Sequence, residues 1–334
     1  MKKLPFSLAF ILTILIAASP VFSGSEPIRL VHTYSIVAID KATGELGAAV
    51  QSHWFSVGSI VPWVESGVGA ICTQSFVEAS YGPLGLELMR AGKSSAEALA
   101  GLLKADKHED VRQVAMIDAE GRVATHTGKN CIPEAGQYIG DGYSCQANLM
   151  LKNTVWEAMA HAFESTNGEL ADRLMAALEA AEAEGGDIRG KQSAAIIVVK
   201  GKSSGVWWKD RLYDLRVEDS PAPLPELKRL IRLTKAYNSM NLGDELMTEN
   251  KLEEAMKAYT KAMEMFPDNA EMIFWPAVTM ASTGKVEESL PLFKRVFAMD
   301  YNWAILLPRL PRVGQLPDDK TLIEKILAQA PKKK

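Results

Sequence analysis

The sequence predicts an α+β chain: a four-layer αββα sandwich followed by a C-terminal α-helical repeat domain. Three observations predict it. Strand-like runs occur in groups joined by short turns, which favours antiparallel pairing. Two pairs of amphipathic helices stand between those groups, where they can cover the outer faces of two sheets packed face to face. Beyond Ser220-Pro221-Ala222-Pro223-Leu224-Pro225 the chain turns helical and charged, with the spacing of a tetratricopeptide repeat. At 334 residues the chain has room for both parts.

Taken in order, Met1-Lys2-Lys3, the apolar run of residues 8–18 and Val21-Phe22-Ser23 read as a signal peptide over 1–23. The mature chain is then expected to start near Gly24, in a periplasmic or secreted location, with no membrane attachment after cleavage. The sandwich domain is expected over 24–219. Its first strands are Thr33–Ile39 and Leu46–Ser52, joined by a turn at 40–45. Gly47-Ala48-Ala49 would let another layer approach the backbone closely. Residues 59–64 and 67–74 follow as apolar, strand-like segments, then a loop at 75–81 and helices at 84–90 and 96–104. Ser94 and Glu97 have capping-box spacing. Strands at 111–117 and 122–127 form a hairpin, and 128–142 reads as a Gly-rich loop. Helices at 153–163 and Leu170–Ala183 end at Glu184-Gly185-Gly186-Asp187, with glycine as the stop. Ser193–Val199, 206–208 and 212–217 close the strand count.

Residues 220–226 read as a stiff Pro-rich linker, and 227–334 as the helical domain. In 236–268 the repeat pattern is Leu242-Gly243, Ala255, Tyr259, Ala262 and Pro267. A second unit starts near Ala270, with Gly284, Phe293 and Val296 in matching places. A repeat cannot bury its apolar face alone, so the repeats dock on the first domain or are capped by 227–237 and 320–330. Concave repeat surfaces bind peptides or protein segments, which makes this domain the place for a protein or peptide partner. A homo-oligomer is compatible with the sequence, which offers no interface.

The net charge of −4 carries no basic footprint for nucleic acid. No phosphate loop or dinucleotide signature is present, Cys131 and Cys145 lack metal-ligand spacing, and no cofactor or metal is expected. Export permits disulfides, and Cys131 and Cys145 are candidates to pair, whereas Cys72 reads as buried. The chemistry that the residues suggest is acyl transfer. Thr33 and Ser35 share one face of the first strand, ahead of Val37 and Ile39. A threonine that opens such a strand suits N-terminal nucleophile chemistry, in which its own α-amine is the base. A plain hairpin with strand-favouring hydroxyls fits as well.

The chain from about Thr33 to Val217 resembles the bacterial domain-of-unknown-function family numbered 1028. The resemblance rests on Thr33-Tyr34-Ser35-Ile36-Val37-Ala38, Val61-Pro62-Trp63, Gly67-Val68-Gly69-Ala70 and Thr73-Gln74. It continues in His126-Thr127-Gly128 with Cys131, and in Gln146-Ala147-Asn148. It ends in Gly185-Gly186-Asp187-Ile188-Arg189-Gly190-Lys191-Gln192-Ser193-Ala194-Ala195 and Asp214-Leu215-Arg216-Val217. That family is assigned by fold to the N-terminal nucleophile hydrolases, and some members carry an accessory domain after the core. The resemblance implies the αββα fold and makes Thr33 the candidate nucleophile; it supplies no substrate, and the leading reading of the site is an exported amidohydrolase acting on a small amide or peptide-like substrate.

Around Thr33 the candidate catalytic residues are Ser35, which would hold its hydroxyl or amine, and Ser52 on the adjacent strand. Asn148 is the candidate oxyanion donor, and Asp187 would orient the amine. Gln74, Arg189, Gln192 and Ser193 are the candidate substrate-binding residues, with the Arg189 guanidinium suited to a carboxylate. His53 and His126 read as structural histidines. Two features depart from proteasome-like relatives: His32, not glycine, precedes Thr33, and no lysine lies between Leu46 and Gln74. With residues 24–32 in place, the amine of Thr33 is an amide. The alternative reading is therefore a catalytically silent hydrolase fold that recruits a partner through its helical repeats.

Overall fold

The computed structural model describes residues 29–332. The expected signal peptide and the expected start at Gly24 lie outside the described residues. The order is β1 (Arg29–Val31), β2 (Thr33–Ile39), β3 (Leu46–Ser52), β4 (Pro62–Glu65), β5 (Gly69–Val77), α1 (Tyr81–Arg90) and α2 (Ser95–Ala105). Then come β6 (Arg112–Asp118), β7 (Val123–Thr127), β8 (Gly136–Gly140), β9 (Tyr143–Ala147), α3 (Val155–Ser165) and α4 (Leu170–Ala183). β10 (Ser193–Val199), α5 (Trp207–Asp210) and β11 (Arg211–Val217) complete the mixed α/β part. The C-terminal region is helical: α6 (Pro223–Thr248), α7 (Leu252–Met265), α8 (Ala270–Ser282), α9 (Val286–Met299), α10 (Asn302–Leu306) and α11 (Lys320–Leu327).

The strands form two antiparallel sheets. One has the order β11-β10-β3-β2-β9-β8. In the other, β5 pairs with β6 and β6 with β7, while β4 and β1 lie end to end along the free side of β5. Strand alternation sorts the side chains. Val37 and Ile39 of β2 meet Ala48 and Val50 of β3, Ala70 and Cys72 of β5, and Ala115 and Ile117 of β6. The other face of β2, Tyr34, Ile36 and Ala38, packs on Met159 and Phe163 of α3 and Leu174 and Leu178 of α4. On the second sheet, Ile71 and Met116 pack against Tyr81 and Leu86 of α1 and Leu99 of α2. Each fully buried side chain of this size is worth about 1.5–3 kcal/mol. The small residues of β3 have their partner here: a Cβ on Gly47 would lie 2.7 Å from Leu174 Cδ1 of α4. The Ser94–Glu97 capping box starts α2 as expected.

Four expectations are corrected. β1 was not anticipated; three residues bounded by undistinguished sequence carry little pattern. The Gly-rich segment 128–142 contains β8, which pairs with β9 across a two-residue Asp141-Gly142 turn, with Gly142 at φ +81°. Residues 206–208 are not a strand: Trp207 and Trp208 lie in the one-turn helix α5 and are exposed. Their aromatic character favours strands only where a neighbouring strand gives them a surface to pack on. Cys131 and Cys145 do not pair: all three cysteines are free thiols, with Cys145 beneath α3 and the Cys131 thiol donating to the Arg112 carbonyl.

The boundary between the two parts also differs from the expected linker. α6 begins at Pro223, with proline in its first turn, where a missing N–H costs nothing. Leu224, Leu227 and Ile231 belong to the same apolar cluster as α3 and α4. Lys228 pairs with Glu179, and Lys235 with Asp172, both of α4. The second half of α6 joins the helical region, where Ala236 and Met240 pack on Ala255, Tyr259 and Ala262 of α7. A Cβ on Gly243 would come within 2.3 Å of the Tyr259 ring. If α6 is part of the first core, Leu227→Ala should destabilise the protein by about 2–5 kcal/mol in urea unfolding. A change below about 0.5 kcal/mol, the usual size for a surface position, would contradict this docking.

Candidate functional site

The chain passes from one sheet to the other at a single residue, His32, between β1 and β2. That crossing sets the geometry of the site. His32 is buried, and its Nδ1 lies 2.8 Å from Asn148 Oδ1. An amide oxygen only accepts, so Nδ1 carries the proton and Nε2 keeps its lone pair. The His32 carbonyl receives two donors: Ser52 Oγ at 2.5 Å and Arg189 Nη2 at 2.8 Å.

Arg189 is aimed by Asp187. The turn before β10 places Gly185, Gly186 and Gly190 at positive φ, which glycine adopts without steric cost. Asp187, buried in that turn, accepts from the Arg189 main-chain N–H at 2.9 Å, from its Nε at 3.0 Å and from its Nη2 at 2.6 Å. It also accepts from the His53 main-chain N–H at 3.2 Å. A carboxylate out of water needs such compensation, and here the compensation fixes the guanidinium over the His32 carbonyl.

Thr33 follows, fully buried at the start of β2, its Oγ1 donating to the Val31 carbonyl at 3.0 Å. The Thr33 carbonyl accepts from the Asn148 main-chain N–H and from Gln74 Nε2, each at 3.1 Å. Below it, between the sheets, lies a network of amides. Gln74 Nε2 and Asn148 Nδ2 both donate to Gln113 Oε1, at 2.8 and 2.9 Å. Ser35 Oγ donates to Gln74 Oε1 at 2.6 Å and accepts from Gln146 Nε2 at 2.6 Å.

The fold thus brings Thr33, Ser52, Asn148, Asp187, Gln74 and Arg189 together at one end of the sheets. Three expected roles differ. Ser35 engages Gln74 and Gln146 rather than Thr33. Gln192 donates to Asp219 on the surface. Ser193, although in register with Ser52, donates to the Trp54 carbonyl and accepts from the Val57 N–H, which fastens the loop after β3. His126, on the edge strand β7, lies 2.7 Å from the Glu109 carbonyl and makes no hydrogen bond to this group. Sequence reasoning missed three members. His32 was noted only as the residue ahead of Thr33. Gln113 and Gln146 were findable as amides at inward positions of fully buried strands. Among the described residues no cluster of three or more His, Cys, Asp or Glu could hold a metal ion.

Burial pushes the His32 imidazole below its ordinary value of 6.5, against the pull of its bond to Asn148. As pH falls through this value, the unfolded chain takes up a proton there that the folded chain resists, so stability drops. The urea midpoint should fall between about pH 7 and 5, and His32→Gln should flatten that slope. Identical slopes in both proteins would count against a buried neutral imidazole.

The model of the family described as "Family of unknown function (DUF1028)" matches residues 33–227. A crystal structure of a Silicibacter pomeroyi protein assigned to that family model is similar to this chain, with a TM-score of 0.54 and 27% identity, over 60% of this chain and 88% of its own. No curated protein matches. The matched segment opens on Thr33, takes in the amide network and Arg189, closes inside α6 and spans more than half of the sequence; the chain belongs to the DUF1028 family of unknown function.

Proposed function

We propose that the protein is an exported amidohydrolase of N-terminal nucleophile type, acting on a small amide or peptide-like substrate through Thr33 once the His32–Thr33 peptide is cut. One observation carries the reading: the carbonyl directly ahead of a threonine hydroxyl is the one that Ser52 and Arg189 grip. Donors of this kind stabilise the negative oxygen of a tetrahedral intermediate. Thr33 Oγ1 would attack the His32 carbonyl carbon, the C–N bond would break, and the acyl group would pass to the hydroxyl. Water then hydrolyses the ester, releasing the chain that ends at His32 and leaving Thr33 with a free α-amine. In the next acyl transfer that amine is the base, and Arg189 suits an anionic or polar substrate.

The layering of α1 and α2, two sheets, then α3 and α4 supports assignment to the αββα sandwich of the N-terminal nucleophile hydrolases. The packing of Ala255, Tyr259 and Ala262 against α6 supports the tetratricopeptide reading of the helical region, where a peptide partner would sit. The second reading, a silent hydrolase fold that serves as a scaffold, is favoured by the state of Thr33 in the intact chain: buried, with its hydroxyl donated to Val31 and β1 paired to β5.

Intact mass under denaturing conditions separates the two, because β1 can stay paired after cleavage. The expected chain begins at Thr33; Thr33→Ala should remain uncut, and Arg189→Met should slow cutting by about a hundredfold or more. A catalytically working preparation whose chain still starts ahead of Thr33 would overturn the amine-base mechanism, and a chain that is never cut favours the scaffold.

A further inference from the structure

A cavity of about 520 Å³ opens between β4, β10 and β11, within the usual range for small-molecule sites. It stands apart from the Thr33 chemistry. Ser193 of β10 is in register with Ser52, whereas the cavity wall runs from the level of Ala195, opposite Arg216, to Val199, about 7 to 20 Å further along the strand.

Its polar groups are of two kinds. Arg211 and Arg216, on the sheet-facing side of the edge strand β11, both reach Asp214. Two guanidiniums share one carboxylate, which leaves one positive charge without a counterpart in that group. Asp210, only 1% exposed, accepts from Ser203 Oγ and the Ser204 N–H through Oδ2, but its Oδ1 has no hydrogen-bond partner among the described residues. Bonds from Ser204 hold its carboxyl below the ordinary value, so it stays ionised. A buried carboxylate oxygen without a donor is costly. The walls between these groups are aromatic and apolar: Trp63 of β4, Ile197 of β10, and Trp207, whose ring lies 5.1 Å from the Arg211 guanidinium. Glu65, the remaining acid of the lining, is taken by Arg90.

We propose that this cavity binds a small zwitterion of the amino-acid type, its carboxylate on Arg211 and Arg216, its ammonium on Asp210, and its side chain against Trp63 and Trp207. Asp214 Oδ1 likewise has no hydrogen-bond partner among the described residues, but Asp210 alone of the two lines the cavity, so a surplus cation and an under-bonded anion of the lining face one apolar-walled space and match a ligand that carries both charges. A purely anionic ligand would leave Asp210 Oδ1 as it is.

The test is a titration of the full chain with L-phenylalanine, read by tryptophan fluorescence and calorimetry. 3-Phenylpropanoate and 2-phenylethylamine, each lacking one charge, are the controls. Saturable binding of L-phenylalanine is expected, with each control weaker by about tenfold or more, the worth of a hydrogen bond to a charged group. Arg211→Gln and Asp210→Asn should each lose a similar factor. Trp207→Ala, at an exposed position that does not threaten the fold, should also weaken binding. No saturation by L-phenylalanine or L-leucine at about 10 mM would overturn the proposal. So would 3-phenylpropanoate binding as tightly as L-phenylalanine, or unchanged affinity in the Trp207 variant.

Discussion

Everything at the polar end of the two antiparallel sheets depends on how one residue crosses between them. β1 belongs to one sheet and β2 to the other, so His32 has no strand partner for its carbonyl. A buried carbonyl must find a donor elsewhere. It finds a serine hydroxyl from the neighbouring strand and a guanidinium from the turn before β10. The same requirement that completes the backbone's hydrogen bonds therefore also assembles a polarised peptide bond beside a threonine.

Behind that corner, four amide side chains do what apolar residues do in the rest of the inter-sheet layer. Gln74, Gln113, Gln146 and Asn148 come from three strands and the residue after the last of them; Gln74 and Asn148 bond to Gln113, Gln146 joins through the Ser35 hydroxyl, and Gln74 reaches the Thr33 carbonyl. Such networks hold a unique geometry when every member is satisfied. A one-residue slip of β5 or β6 would turn Gln74 or Gln113 toward α1 and α2 and strand its polar atoms. The network thus fixes the register of the second sheet against the first at the place where Thr33 is held.

The long strands and amphipathic helices were legible because period-two and helical patterns persist over seven or more residues, as in β2, β3 and β10. β1 and β4 were not, or only loosely, because three or four residues hold too little pattern. β8 was hidden by glycines that the chain uses for close packing: a Cβ on Gly136 would fall on Trp156, and one on Gly140 on Tyr143. At the site, Thr33, Ser52, Asp187 and Arg189 stood out as polar groups at strand ends and in a Gly-rich turn. His32 did not, since its meaning lies in the sheet crossing, a property of topology rather than of local sequence. The role of Ser193 was misjudged for a similar reason: the loop it fastens is near only in three dimensions.

α6 has a consequence for how the molecule can be divided. Its 26 residues make a rod of about 39 Å, one end sunk in the first core and the other in the helical array. No break in the helix separates the two halves, so the array and the sheets share one continuous element. A cut at the prolines would strip Leu227 and Ile231 from beneath the sheet and leave a greasy trough on one product and a bare helix on the other. The natural severing point lies past Lys235, within a continuous helix, which means that the protein offers no place where it comes apart cleanly.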